Sequence, residues 1–407
     1  SSAASDVYKR QEECQKFTPE LSCVVVDGDA AHRAELAESW PAADLVVTSY
    51  DLLRRDEALY EGQEFYACIL DEAQAIKNHT TQKYKAVCKV RSRVRFALTG
   101  TPVENRLGEL WSIFSFLMPG YLPPYKSFCS RFEKPIVQEE DQTAVRRLNQ
   151  LTGPFILRRM KSDVLKELPP KTENVYRIEL EEEQRKLYLA AVVDAREKLQ
   201  AAKPEDKMAV FAVLMRLREI CCDPRLIADN WEGGSAKLDA CAELVSSAVE
   251  GGHRILLFSQ FTSMLELLAK RLDAEGISHF TLQGSTPKPV RAELVRRFNG
   301  GEVSVFLISL RAGGTGLNLT AADIVIHYDP WWNVAAQNQA TDRAYRIGQQ
   351  NPVQVYKLIA QDTIEEKIVE LQQAKQSLAD TVTGTADGAI LSMRPDELLQ
   401  LLEGSEP

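Results

Sequence analysis

The sequence predicts an α/β protein of two lobes with parallel sheets, a helical insertion between them and C-terminal helices. Three observations carry this. Short β-branched runs recur in two regions, each followed by polar or glycine punctuation and then a helical stretch. The runs are continuously apolar rather than alternating, the pattern of strands covered on both faces, as in parallel sheets. The intervening sequence, 105–250, changes to charged, helix-patterned segments punctuated by prolines.

Taken in order, the first region offers strands at 23–27, 44–50, 65–71 and 94–99, and the second at 254–260, 279–284, 303–310, 323–329 and 353–359. Helical patterning covers 105–117 and 177–222, because a linker of that length inside a compact protein must hold helices of its own. A last amphipathic helix is expected over 362–381 with Asp362 and Thr363 as N-cap candidates, then a small-residue loop at 382–390 and a short helix at 391–403. The expected domains are a partial first lobe over 1–156, a helical linker and insertion over 157–235, a second lobe over 236–362 and C-terminal bracing helices over 363–407.

Composition narrows the function. Lys plus Arg number 49 against 58 Asp plus Glu, a net charge of −9 that excludes a polycationic mode of nucleic-acid binding but not a local basic groove. Hydrophobic content of 44% and charged content of 26% describe an ordinary globular chain rather than a disordered one. No apolar stretch approaches the roughly 18 uninterrupted residues of a membrane helix. The eight cysteines contain no C-x-x-C pair and several sit in apolar runs, which suits a reducing compartment and argues against a zinc site. The five histidines show no ligand spacing. The first eleven residues have no signal-peptide pattern and read as unrelated to the rest of the chain.

In doubly wound sheets, ligands bind beyond the carboxyl ends of the strands. Those ends here carry the unusual polar residues, including Thr48-Ser49-Tyr50, Asp71-Glu72, Thr99-Gly100-Thr101 and Ser259-Gln260, as expected for two lobes facing one cleft. The clearest motif is ILDEAQAIKN at 69–78, where a buried strand delivers two adjacent carboxylates to the sheet edge. Asp71 suits nucleotide-bound Mg²⁺ and Glu72 the orientation and deprotonation of an attacking water. Alone, the same residues also read as a strand leading into an acidic helix N-terminus. ALTGTPVENRL at 97–107 ends a strand in hydroxyls and a glycine that can sense a γ-phosphate, or simply forms a capped turn with proline near the first helical position.

Two further motifs lie in the second region. LISLRAGGTGLNLTAAD at 307–323 places Gly313, Gly314 and Gly316 after a strand, in a loop whose amides suit phosphate or ribose, or in a turn that needs glycine only for packing. In QNQATDRAYRIGQ at 337–349, Gln339, Arg343 and Arg346 fall at i, i+4 and i+7, one face of a continuous helix. Two guanidiniums there call for an anionic partner such as phosphate, or form a solvated stripe. Trp331-Trp332 is read as packing against the preceding sheet.

Together and in this order, the motifs resemble the Swi/Snf-type ATPases, the chromatin-remodelling and DNA-translocase branch of helicase superfamily two. The resemblance runs from about Glu12 onward and includes TSYDLLRRD (48–56), LWSIFSFLMPG (110–120), LRRMKSDVLKELPPK (157–171), FSQFTSMLELL (258–268), LQGST (282–286) and TIEEKIVELQQAK (363–375). It implies two RecA-like lobes, ATP and Mg²⁺ as cofactors, and double-stranded DNA as partner. By the same resemblance, Asp71 and Glu72 are the metal-binding and water-activating pair, and Gln74 stands where relatives often have His. Thr99, Gly100 and Thr101 form the coupling turn. Gln260, Thr286 and Arg311 face DNA, Gly314 and Gly316 line the nucleotide loop, and Arg343 and Arg346 are the arginine fingers with Gln339 nearby.

A phosphate-binding loop G-x-x-x-x-G-K-[ST] is expected in the first lobe by that resemblance, yet none of the 21 glycines is followed by Lys. Without that cradle the 407 residues are expected to be a fragment that does not hydrolyse ATP efficiently. The reading is an ATP-dependent duplex-DNA translocase; the alternatives are a strand-separating helicase of the same superfamily and a non-catalytic scaffold. The lack of basic targeting runs and the compact tail point to a prokaryotic cytoplasmic, nucleoid-associated protein.

Overall fold

A computed structural model describes residues 4–100, 107–139, 141–159, 164–165, 167–203, 206–228, 230–313 and 317–372, with 395, 398–399 and 402. The described residues divide into two compact units, one up to Arg158 and one from Arg159 onward.

In the first unit, β1 (Cys23–Val25) pairs in parallel with β2 (Leu45–Val47), and β3 (Glu64–Leu70) with β4 (Arg91–Ala97). Around them lie the longer helices α1 (Ala4–Phe17), α2 (Ala30–Glu38), α3 (Tyr50–Arg55), α4 (Gln82–Lys89), α5 (Leu107–Leu117) and α6 (Gln142–Thr152). Their starts are set by short polar side chains. Asp29, Ser49, Thr81 and Asp141 each accept a hydrogen bond from a backbone N–H in the first turn that has no intrahelical partner. The core gathers Val26, Trp40, Tyr50, Leu70, Ile76 and Phe116. All four predicted strands are present. Their continuous apolar character did not mean burial on both faces, however: Ile69, Val94, Phe96 and Leu98 are 37–57% exposed. These four share one parity of the β3–β4 ladder, while Tyr66, 75% exposed, lies on the other, so neither face of this two-stranded sheet is wholly covered among the described residues.

The second unit is built on one six-stranded sheet, ordered β5-β10-β9-β6-β8-β7, in which every pair is parallel. The strands are β5 (Lys171–Ile178), β6 (Ile255–Ser259), β7 (His279–Leu282), β8 (Val305–Ser309), β9 (Ile324–His327) and β10 (Val353–Ala360). The central β6, β8 and β9 are buried along their whole lengths, as their unbroken apolar sequence requires. The longer helices are α7 (Glu182–Ala201), α8 (Lys207–Cys222), α9 (Ala236–Glu250), α10 (Thr262–Ala274), α11 (Lys288–Asn299) and α12 (Val334–Thr341).

β5 was not expected. Its sequence KTENVYRI is charged and falls inside the segment read as helical linker. It pairs with β10 as an edge strand, where polar side chains meet solvent. The helices α7 and α8 share a core with Trp332, Ile364, Ile368, Leu398 and Leu402, so the inserted helices and the tail are packed parts of the second unit. Residues 364–372 are helical. The Thr363 hydroxyl caps them by accepting from Glu365 N (3.2 Å), while Asp362 turns the chain at φ 54°. The expected loop at 382–390 and most of the helix at 391–403 lie outside the described residues. All eight cysteines are free thiols, and no described helix is long and apolar enough to cross a membrane.

Candidate active site

The ladder between β3 and β4 fixes the acidic pair. Leu98 N donates to Leu70 O (2.7 Å) and Ala73 N donates to Leu98 O (2.9 Å), so Asp71 and Glu72 form a two-residue jog held at both ends. The jog requires Glu72 to adopt a left-handed backbone, φ 50° and ψ 52°. For a residue with a Cβ that conformation costs about 1–3 kcal/mol and persists only where the surroundings hold it. Asp71 Oδ1 accepts the Glu72 N–H (3.0 Å), and the Asp71 carbonyl accepts from the Tyr50 hydroxyl (2.9 Å).

From Glu72 a relay of side chains leads to the second motif. Gln74 Nε2 donates to Glu72 Oε2 (2.7 Å), and Thr99 Oγ1 donates to Gln74 Oε1 (2.8 Å). The strand-end hydroxyl is thereby joined to the carboxylate through one amide, that of Gln74, 25 residues before Thr99. Gly100 beside it has open space where a Cβ would stand. Thr101 lies outside the described residues.

Asp71 is open to a cation: its side chain is 25% exposed, and the Arg10 guanidinium reaches Oδ2 through Nε (3.0 Å) and Nη2 (2.5 Å). No group of three or more His, Cys, Asp or Glu able to hold a metal occurs among the described residues. A single accessible carboxylate fits Mg²⁺ brought in on phosphates, since that ion keeps water and phosphate ligands rather than a cage of protein groups.

In the second unit the strand ends converge on Asp329. Its Oδ1 accepts from Ser259 Oγ (2.6 Å) and Gln260 N (3.2 Å), and its Oδ2 from Arg218 Nη2 (3.1 Å). Arg218, fully buried, also donates to the Pro330 carbonyl and lies over the Trp332 ring at 4.1 Å. Burial raises the Asp329 pKa, against the opposing pull of Arg218 and Ser259. Trp332 is thus a packing residue, as expected from sequence. The sequence reading missed Arg218 and gave no role to Asp329 or Tyr50, although both stand at the ends of predicted strands.

Gln260 is half-buried with its Nε2 removed from solvent, and Thr286 closes a turn by accepting Gln283 N (3.1 Å). Arg311 begins the chain's exit from β8 in a short helical turn, Leu310–Gly313; Gly314 and Gly316 lie outside the described residues.

The arginine segment corrects one expectation. Gln339 is in α12, but that helix ends at Thr341 with Asp342 as its C-cap, so Arg343 and Arg346 do not share a continuous helical face with it. They lie in turns tied to the chain leaving the glycine loop. Leu319 N donates to the Arg343 carbonyl (3.0 Å) and Arg346 Nη1 to the Leu317 carbonyl (3.3 Å). Gln349 pins the same region, donating through Nε2 to Ala322 O (2.7 Å) and Ala344 O (3.1 Å) and accepting from Gln350 N and Asn351 N. The glycine-loop and arginine motifs are thereby joined by hydrogen bonds, with Arg343 buried and Arg346 half-buried.

Parallel sheets with an acidic strand edge in one unit and a hydrogen-bonded arginine segment in the other define a helicase-like α/β protein. Residues 4–226 match the SNF2-related domain and residues 236–348 the Helicase conserved C-terminal domain. The chain therefore belongs to the SNF2 family of helicase-like ATPases, with two RecA-like lobes. It is 39% identical over 401 residues to the putative ATP-dependent helicase/translocase YwqA of Bacillus subtilis, covering 96% of this chain and 43% of that protein. To an uncharacterized ATP-dependent helicase of Mycoplasma pneumoniae it is 38% identical over 405 residues, covering 98% and 38%. The SWI2/SNF2 ATPase core domain of Sulfolobus solfataricus is similar in structure, with 35% identity, TM-score 0.50, and coverage of 98% of this chain and 82% of that one. The chain thus spans about two fifths of the length of these curated relatives.

Proposed function

We propose that this chain is part of a double-stranded-DNA-stimulated ATPase that translocates along duplex without needing to separate its strands. The observation that carries the reading is the strained Glu72, held in a left-handed conformation and linked through Gln74 to Thr99. Strain of that kind is kept where it serves a site. It presents two carboxylates with different surroundings: Asp71 paired with a cation, the Arg10 guanidinium, and Glu72 tied to a relay.

In this reading Asp71 holds Mg²⁺, which when bound neutralises charge on the phosphate oxygens of ATP. Glu72 orients the attacking water and takes its proton. Thr99 reports the state of the γ-phosphate to Glu72 through Gln74. Arg343 and Arg346 neutralise charge that develops as the γ-phosphoryl group leaves, with Gln339 beside them. Gln260, Thr286 and Arg311 serve the DNA path. Backbone contacts dominate such gripping, so affinity falls with salt and hardly depends on sequence. None of the glycines in these 407 residues precedes Lys, so no residue of this chain is given the part of the phosphate cradle. Relatives in Bacillus and Mycoplasma favour a bacterial setting, and association with nucleoid DNA is part of the proposal.

The test is ATP hydrolysis by the protein carrying these residues, with and without linear duplex DNA, beside a triplex-displacement assay on the same duplex. Stimulation by duplex with displacement of the third strand supports the reading. Hydrolysis indifferent to DNA, or fork unwinding without triplex displacement, overturns it.

A further inference from the structure

Tyr50 belongs to a motif at the end of β2 that the proposed function leaves without a task. Its ring is 4% exposed in the core beside Leu70, Ala73 and Ile76. Ser49 caps α3 by accepting Leu52 N (3.3 Å), which sets Tyr50 in the first helical turn and aims its hydroxyl at the acidic jog. There the hydroxyl donates to the carbonyl of Asp71 at 2.9 Å.

That carbonyl belongs to the peptide between the two carboxylate residues. Its plane is fixed by ψ of Asp71 and φ of Glu72, so turning it swings both Cα–Cβ bonds at once. Glu72 is at φ 50°, and an unanchored peptide would relax toward the right-handed or extended region open to a residue with a Cβ. Other bonds act on the jog: Glu72 N to Asp71 Oδ1 ties the same peptide only to the side chain of its own residue, while Ala73 N to Leu98 O, Ala75 N to Glu72 O and Gln74 to the Glu72 side chain hold its neighbours. The Tyr50 hydroxyl is the donor on the carbonyl itself.

We infer that Tyr50 is a positioning residue for hydrolysis: by holding the Asp71–Glu72 peptide it keeps Glu72 in its strained conformation and aims both carboxylates. This rests on the proposed ATPase reading for its effect on turnover, but not for its effect on the backbone.

Tyr50→Phe deletes one oxygen and keeps the ring. In the protein carrying this chain, duplex-stimulated kcat is expected to fall about 10-fold while KM for ATP stays within about 2-fold. The Mg²⁺ concentration for half-maximal rate should rise several-fold. Amide hydrogen exchange at Glu72 and Ala73 is expected to quicken about 10-fold, with the global melting temperature nearly unchanged. Tyr60→Phe is the matched control, a buried tyrosine of the same core that makes no bond to Asp71; it should leave exchange at both amides and the Mg²⁺ requirement as in the wild type. Unchanged exchange in Tyr50→Phe overturns the anchor whatever the activity. Faster exchange with wild-type kcat and Mg²⁺ requirement overturns the positioning role, as does an equal effect of Tyr60→Phe. A wild type whose hydrolysis ignores DNA overturns the translocase reading instead, and the exchange measurement still decides on Tyr50.

Discussion

Lys237 and Glu365, 128 residues apart in sequence, form an ion pair in which both side chains are wholly removed from solvent. Lys237 comes from the first turn of α9 and Glu365 from the segment after β10, so the pair ties the start of one element to the end of the sheet. Glu365 also accepts the Ala360 N–H (2.9 Å), and Lys237 lies over the Tyr328 ring at 5.5 Å. Burial alone would lower the Lys237 pKa, but Glu365 raises it overall and keeps the ammonium charged.

Breaking such a pair from one side strands a buried charge. Lys237→Met is expected to cost about 3–5 kcal/mol in urea unfolding. Adding Glu365→Gln, which still accepts from Ala360 N but carries no charge, should recover more than half of that loss. A double variant no more stable than Lys237→Met would show that packing, not charge, is what the pair supplies.

His327, at the end of β9, makes stability depend on pH. Its Nε2 meets Thr341 Oγ1 at 2.8 Å and its ring stacks on Phe258. Burial, with Lys357 and Lys171 adding to it and Glu173 opposing, holds its pKa down to about 3. The unfolded chain binds a proton near pH 6.5, which the folded chain refuses. The contribution is therefore complete above about pH 6.5 and declines as pH falls toward about 3, by about 1.4 kcal/mol per unit. Between pH 7.5 and pH 5 the wild type should lose about 2 kcal/mol more than His327→Gln, measured from denaturant unfolding at each pH. Parallel losses in the two proteins would remove His327 from this role.

The sheet of the second unit was legible because β6, β8 and β9 are apolar along their whole lengths and had no other place to go. β5 was not, since an edge strand written KTENVYRI carries the charges of a linker and is specified by its partner β10. Among site residues, Asp71, Glu72 and Thr99 were legible as strand-end polar groups, but nothing in DEAQ announces a left-handed Glu72 or the Tyr50 bond that meets it. The arginine segment was misread in geometry: i, i+4, i+7 spacing defines a face only while the helix lasts, and α12 stops at Thr341.

The relay through Gln74 predicts that the strand-end hydroxyl and the carboxylate act together. Thr99→Val removes the donor at nearly constant shape, and Gln74→Leu removes the bridge. Each should lower kcat about 10-fold with KM for ATP held within about 3-fold, and the double variant should be no slower than the slower single one. Multiplying losses would mean that the two residues act separately.

Arg343 and Arg346 are held by backbone and side-chain ties to Leu319 and Leu317 rather than by a helix, so their placement does not depend on α12 continuing. If they neutralise charge in the transition state, Arg343→Ala should lower kcat by about 10³-fold while sparing ATP affinity to within about 3-fold. Lysine should not restore the rate, because a point charge lacks the planar fork that meets two phosphate oxygens at once. Gln339→Ala, which removes no charge, should slow turnover by a much smaller factor. Single-turnover kinetics on the three variants separates these outcomes from slow product release, and unchanged turnover in Arg343→Ala would remove it from the chemistry.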